Sequence, residues 1–293
     1  MIAFNSNAQI SNFIVTSKER YIPKNYVDYI IIGGQSNIDN RININNLPDG
    51  YEGVYDSVKF YNNGSLSTFT PGSNAKNGTV GYYSWDALLL KMLTDSFDIE
   101  VKFTKHSFSN TSIGFTGATA WHSLIQHPYG SWNINVEGSH YDKIKEYILN
   151  IKQREKLLGN VARFRLIIWD QKESDCGLGG DTLTSYIYSD DGVLKGNFVD
   201  FMDEMRRITG NSNLPVLYMQ EMSSQACSFS DTMINKQILF DSLYPYSYMI
   251  PAEEYVDSIT LQDTQHYDPA GTYFVAKLSF EIIKNNNLLN NWK

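Results

Sequence analysis

Apolar residues fall into two kinds of run along the chain. Tyr29–Ile32, Phe164–Trp169 and Val216–Met219 lack alternating polar positions and read as strands buried on both faces, while runs spaced by three and four residues read as helices with one buried face. The first strand leads into Gly33-Gly34, and a second is plausible over Val54–Tyr61 before the turn Asn62-Asn63-Gly64. A helix follows over Tyr82–Phe97, where Trp85, Leu88, Leu89, Met92 and Leu93 share a face, then a strand over Ile99–Phe103. Helices over Tyr141–Leu158, Asn197–Ile208 and Thr232–Leu243 then alternate with strands over Phe164–Trp169, Val216–Met219 and Tyr246–Ile250. An amphipathic helix over Gly271–Lys284 closes the chain. This alternation predicts right-handed βαβ crossovers and an α/β fold with a parallel sheet covered on both faces. With no repeat and no Pro- or Ser-rich linker, the expected organisation is an N-terminal extension over 1–26 and a single domain over 27–293.

The first strand delivers Ser36 to its C-terminal end, the edge at which open α/β sheets bind ligands. A helix-capping serine would look similar. Of the five histidines, His106, His122, His127, His140 and His266, only the last lies in a suggestive setting, DTQHYDPAG. Asp263, three residues earlier, is placed to meet the imidazole Nδ1 on a tight turn, fixing the tautomer and stabilising the imidazolium. Ser36 then reads as nucleophile, His266 as base and Asp263 as orienter, against the plainer reading of a loop histidine beside a capping aspartate. A third polar cluster, Trp169-Asp170-Gln171-Lys172-Glu173-Ser174-Asp175, ends another buried strand and offers the Gln171 amide to a developing oxyanion.

Composition narrows the partners. The chain of 293 residues carries a net charge of −8, with its basic residues scattered, and nucleic acid needs a concentrated cationic face. No stretch approaches the roughly 20 apolar residues of a membrane span. Neither nucleic acid nor membrane is expected as a partner. Cys176 and Cys227 match no disulfide framework or metal-ligand spacing and are expected to be free thiols. Asp263, His266 and Asp268 lack a second histidine in ligand spacing, and His122 and His127, five apart, do not share a helical face, so no metal is expected. No phosphate-cradling or dinucleotide motif is present, and no cofactor is expected. The stretch MIAFNSNAQISNF lacks the basic and apolar regions of a secretory signal, which suits a virion-associated protein better than a signal-exported enzyme; the compartment itself is left open.

Together GGQSN, WDQKESD and DTQH resemble the SGNH (GDSL-like) hydrolases, and among them the carbohydrate esterase family 6 and sialate O-acetylesterase-like branch. There the blocks read GQSN, W-x-Q-G-E-x-D and D-x-x-H. The resemblance implies a three-layer α/β/α sandwich of flavodoxin-like topology with about five parallel strands. It also implies a Ser36–His266–Asp263 triad, an oxyanion held by the Ser36 amide, Gln171 and a second-block donor, and Glu173 ordering the Gln171 loop. Two departures stand out. Ser107-Phe108-Ser109-Asn110-Thr111-Ser112 replaces the usual Gly-Gly-Thr, so Ser109 or Asn110 must supply the second-block donor, and Lys172 stands where glycine is usual. The safest reading points Lys172 into solvent; the others have it shrinking the pocket or attracting an acidic sugar.

The implied activity is removal of O-acetyl groups from a glycan or polysaccharide through an acyl-enzyme, without a cofactor. Trp121, Trp132 and Tyr129, in the long loop from Phe115 to Gly138, are candidates to stack on sugar rings, or else simply anchor that loop. The alternative, from a different class, is a non-catalytic glycan-binding or structural protein on the same scaffold, for example in a phage particle. Homo-oligomer or virion partner chains belong to that picture, as does a phage-borne deacetylase.

Overall fold

The computed structural model describes residues 25–72, 81–109, 111–113, 130–178, 180–290 and 292. The extension expected over 1–26 lies outside the described residues except for its last two, and the first strand already begins at Tyr26. In chain order the strands and helices are β1 (Tyr26–Gly34), β2 (Ile42–Asn43), β3 (Tyr55–Asn62), β4 (Ser65–Phe69), β5 (Tyr82–Tyr83), α1 (Trp85–Phe97), β6 (Val101–Ser107), α2 (His140–Leu157), β7 (Val161–Asp170), α3 (Glu173–Leu178), α4 (Gly180–Tyr186), β8 (Tyr188–Asp190), β9 (Val193–Lys195), α5 (Asn197–Thr209), β10 (Val216–Met219), α6 (Ser230–Leu243), β11 (Ser247–Ile250) and α7 (Pro269–Asn285).

The central sheet has seven strands in the order β11-β10-β7-β1-β6-β3-β4. Neighbours are parallel except for β4, which hairpins back antiparallel on β3. Six strands are parallel where the resemblance implies about five, the strand read over Val54–Tyr61 among them, and the unread Ser65–Phe69 adds an antiparallel edge. Side chains leaving β1 in alternation feed both layers. Ile30 and Ile32 pack with α1 and α7 through Leu88, Leu89, Val275 and Ile283. Tyr29 and Ile31 pack with α2, α5 and α6 through Ile144, Ile148, Met202 and Phe240. This two-sided burial is why β1 shows no polar alternation. No helix among the described residues is long and apolar enough to cross a membrane.

The order places β1 at the switch point, since β6, β3 and β4 lie on one side of it and β7, β10 and β11 on the other, while β2 with β5 and β8 with β9 form separate two-stranded sheets. Two glycines let β1 leave the sheet between its neighbours. Gly34 has φ +138°, and a Cβ there would lie 2.1 Å from the Asp170 carbonyl oxygen. Gly34→Ala therefore combines backbone strain with a backbone clash and is expected to destabilise the fold by at least about 3 kcal/mol in chemical denaturation. Gly64→Ala, where φ is +85° but the space is open, is expected to cost only about 1 kcal/mol. Equal losses would show that the close approach to β7 is not what Gly34 serves.

The free-thiol expectation is corrected: Cys176 of α3 and Cys227, after β10, form a disulfide with Cα atoms 5.8 Å apart across 51 residues of sequence. The crosslink ties the segment after β7 to the segment after β10.

Candidate active site

β1 is clamped where it leaves the sheet. The Gly34 carbonyl accepts from the Phe108 amide at 3.0 Å, and the Gln35 amide donates to the Asp170 carbonyl at 2.8 Å, so the exits of β6 and β7 flank it. Ser36 then opens a turn closed by Ile38 N–H to Gln35 C=O and Asp39 N–H to Ser36 C=O. It is 6 % exposed, and among the described residues neither its hydroxyl nor its amide has a hydrogen-bond partner. The far end of the turn is anchored too. Asn40, at φ +57°, accepts from Ser84 and Lys105 through Oδ1, and Lys105 forms a buried ion pair with Asp86.

The His266 loop lies between β11 and α7, on the same sheet edge. Oδ1 of Asp263 accepts from the Gln265 and His266 amides, both at 2.8 Å, and Oδ2 faces His266 Nδ1 at 2.8 Å. This local turn fixes the imidazole as the D-x-x-H spacing predicts. Partial burial pushes the Asp263 carboxyl up, but the bonds from the Gln265 and His266 amides and the imidazole outweigh it and hold the carboxyl below its ordinary value. The loop rests on the segment after β10: Gln225 Nε2 donates to the Gln265 carbonyl at 2.6 Å, and Ala226 N–H to Thr264 C=O at 2.7 Å.

Asn37 joins the two loops. Its Nδ2 donates to the Gln265 carbonyl at 3.2 Å and its Oδ1 accepts from the Tyr267 amide at 3.3 Å. The residue after Ser36 thus grips the residues on either side of His266. Beside them opens a cleft lined by Asp39, Asn40, Arg41, Tyr82, Ser109, Gln262, Asp263 and His266. Ser109 is held there, its hydroxyl donating to Asp39 at 3.2 Å and accepting from Arg41 at 2.8 Å.

The third block departs from expectation. Both N–H groups of Gln171 are engaged inside the protein, on the Thr111 carbonyl at 3.1 Å and on the Asp175 carboxylate, so in this arrangement neither is left over for an oxyanion. Glu173 orders the Ser36 turn: its carboxylate accepts from Gln35 Nε2 and, at 2.6 Å, from Asn37 Nδ2. Lys172 is not in solvent and lines no sugar site; it is fully buried, with Nζ 2.9 Å from Asp170 and 2.8 Å from Glu173. Trp132 is likewise corrected from sugar platform to core. It is fully buried against Trp169, with its indole N–H on Thr111 Oγ1 at 2.8 Å. Asn110, Trp121, Tyr129, His122 and His127 lie outside the described residues. His106 and His140 meet each other, Nε2 to Nδ1 at 2.9 Å, and pack on Trp132.

Sequence reasoning missed Asn37, although it stands inside GQSN, and missed Tyr267 and Gln225 altogether. Asn37 carried a local signal; the other two did not, because their role appears only when distant segments meet. Among the described residues the one grouping with donor atoms close enough to share an ion is Cys176, Cys227 and Glu221, within 4.8 Å of one another. The disulfide leaves no thiolate there to act as ligand. Asp268, weighed as a ligand beside His266, instead caps α7, accepting from the Gly271 amide at 2.7 Å and the Thr260 hydroxyl at 2.6 Å.

No protein-family model matches the sequence, and no curated protein sequence does either. Solved structures do share the fold. A protein from Arabidopsis thaliana, AT4G34215, superposes with a TM-score of 0.64 at 13 % identity, covering 93 % of this chain and 100 % of that one. NanS gives 0.57 at 12 %, covering 90 % and 98 %. XAC1771, described as a novel carbohydrate acetylesterase from Xanthomonas citri, gives 0.53 at 14 %, covering 88 % of this chain and 56 % of its own.

Proposed function

The chain has the α/β/α fold of the SGNH hydrolases, and on that frame we propose that it is a serine esterase removing acetyl groups from a carbohydrate. The observation that carries the reading is the pairing of Asp263 with His266 Nδ1 on a loop that Asn37 fastens to the turn bearing Ser36. Ser36 Oγ attacks the ester carbonyl while His266 Nε2 takes its proton. The tetrahedral intermediate collapses as the carbon–oxygen bond to the sugar breaks, and His266 returns the proton to that alkoxide. Water, activated by the same imidazole, then attacks the acyl-enzyme and releases acetate and free Ser36. The partnerless Ser36 amide is available to hold the oxyanion; Gln171 would have to release Thr111 or Asp175 to assist.

Two features support a small acyl group on a large polar alcohol. Ser36 is nearly buried, which limits the acyl side. The cleft beside His266 is lined by groups that hydrogen-bond hydroxyls, and Tyr82, 36 % exposed, presents the ring for stacking that Trp132 does not. With chromogenic esters of increasing chain length, kcat/KM is expected to fall about a hundredfold from acetyl to octanoyl, and acetate is expected from acetylated polysaccharides. A protein that binds such glycans but releases no acetate from any ester would instead be a binding protein on this fold.

A further inference from the structure

Lys172 is a lysine inside the protein, in a block where the resembling motif carries glycine, so the resemblance assigns it no role. A buried ammonium is costly unless paired. Its Nζ lies 2.9 Å from Asp170 Oδ1, 2.8 Å from Glu173 Oε1 and 3.5 Å from the Tyr267 hydroxyl, and Asp170 Oδ2 is held in turn by the Trp85 indole at 2.9 Å. Glu173 carries the next step, because Gln35 and Asn37, the residues on either side of Ser36, both donate to its carboxylate. Asn37 then bonds Gln265 and Tyr267, the residues on either side of His266. We propose that Lys172 is a positioning residue: by keeping Glu173 an anionic acceptor, it holds the Ser36 turn and the His266 loop in register. This rests on the esterase reading above.

The surrounding charges fit. Burial alone would raise the Glu173 carboxyl, but the Lys172 ammonium and the bond from Asn37 outweigh it and bring the carboxyl below its ordinary value. Burial also works against the Lys172 charge, yet Asp170 and Glu173 prevail and keep it protonated. The other groups facing it are Glu221, pushed up to about 8 by burial, and the Tyr267 and Tyr186 hydroxyls, raised by burial. Asp170 is raised by burial as well, against the pull of the ammonium and the bond from Trp85, so Glu173 is the carboxylate facing Lys172 that is held below its ordinary value. Protonation would turn one of the two accepting oxygens of Glu173 into a donor facing an amide donor, and the grip on both loops would slacken.

Lys172→Met removes the charge and keeps most of the volume. Relative to wild type, kcat on an acetyl ester is expected to fall at least about tenfold with KM within about twofold, because the loss is in alignment. The acid limb of the kcat–pH profile is expected to move up by about one unit or more as Glu173 protonates more easily. Lys172→Arg keeps the charge and is expected to return the limb toward its wild-type position. A kcat loss with the limb unmoved, or no loss at all, would overturn the proposal. Should Lys172→Met fail to fold, Glu173→Gln reads the same link, since it keeps the shape without the charge; kcat within twofold of wild type would overturn the inference. An inactive wild type would remove the esterase reading and this inference with it, whereas an active wild type with an indifferent Lys172→Met would remove this inference alone.

Discussion

Ser36→Ala is expected to lower hydrolysis of an acetyl ester by about a thousandfold or more while leaving the melting temperature within a few degrees of wild type. The loss follows from chemistry: alanine offers no oxygen to form the acyl-enzyme, and the remaining groups can only bind the ester and polarise it. The fold should survive because the turn around residue 36 is closed by backbone bonds from Ile38 and Asp39, while Gln35 and Asn37 keep their hold on Glu173. Among the described residues the Ser36 hydroxyl has no partner to lose. His266→Ala is expected to cost a similar factor, since units of this kind fail together when either member is removed. Activity persisting in Ser36→Ala would move the chemistry elsewhere in the molecule.

Asp263→Asn is expected to lower kcat by about a hundredfold or more with little change in KM. The carboxylate does two jobs here. Oδ1 shapes the loop by accepting from the Gln265 and His266 amides, and Oδ2 accepts the hydrogen bond from the Nδ1–H of His266. Asparagine can keep the first with its carbonyl, but it then turns an amide N–H₂ toward Nδ1. That favours the tautomer with the proton on Nε2, where it cannot act as base toward Ser36. The Asp263 side chain is 51 % exposed, so solvent can relieve part of the charge lost, and the effect should be smaller than for a buried orienting aspartate. Steady-state kinetics of Asp263→Asn beside Asp263→Ala checks this. A loss confined to KM would contradict the role.

The architecture was legible where burial leaves a local pattern. β1, β7 and β10 are covered on both faces, so their apolar runs show in sequence, and helices such as α1 and α5 declare themselves by one-sided spacing. β4 was not legible: SLSTF alternates exposed with half-buried positions and buries only Phe69, because it is an edge strand paired on one side only. The short hairpin of β8 and β9 is exposed over most of its length and leaves as little trace. At the site, Asp263 and His266 could be paired from the sequence because three residues of one turn determine their contact. Lys172 could not be placed the same way. A lysine reads as solvated unless Asp170, Glu173 and Tyr267 are known to surround it, and Tyr267 is brought there by a strand and a helix far along the chain. The disulfide failed to show for the same reason, since Cys176 and Cys227 come together only through the adjacency of β7 and β10. Trp132 looked like a loop aromatic because its partners, Trp169, His106 and His140, lie on other elements.

The central claim is that Ser36 carries the acyl group between the two halves of the reaction. Rapid acid quench of the protein with excess acetyl ester, followed by intact-mass and peptide-mass measurement, tests it most directly. The account predicts one acetyl group on the peptide containing Ser36, absent in Ser36→Ala and formed about a thousandfold more slowly or not at all in His266→Ala. An adduct on another residue, or hydrolysis continuing in Ser36→Ala, would contradict it.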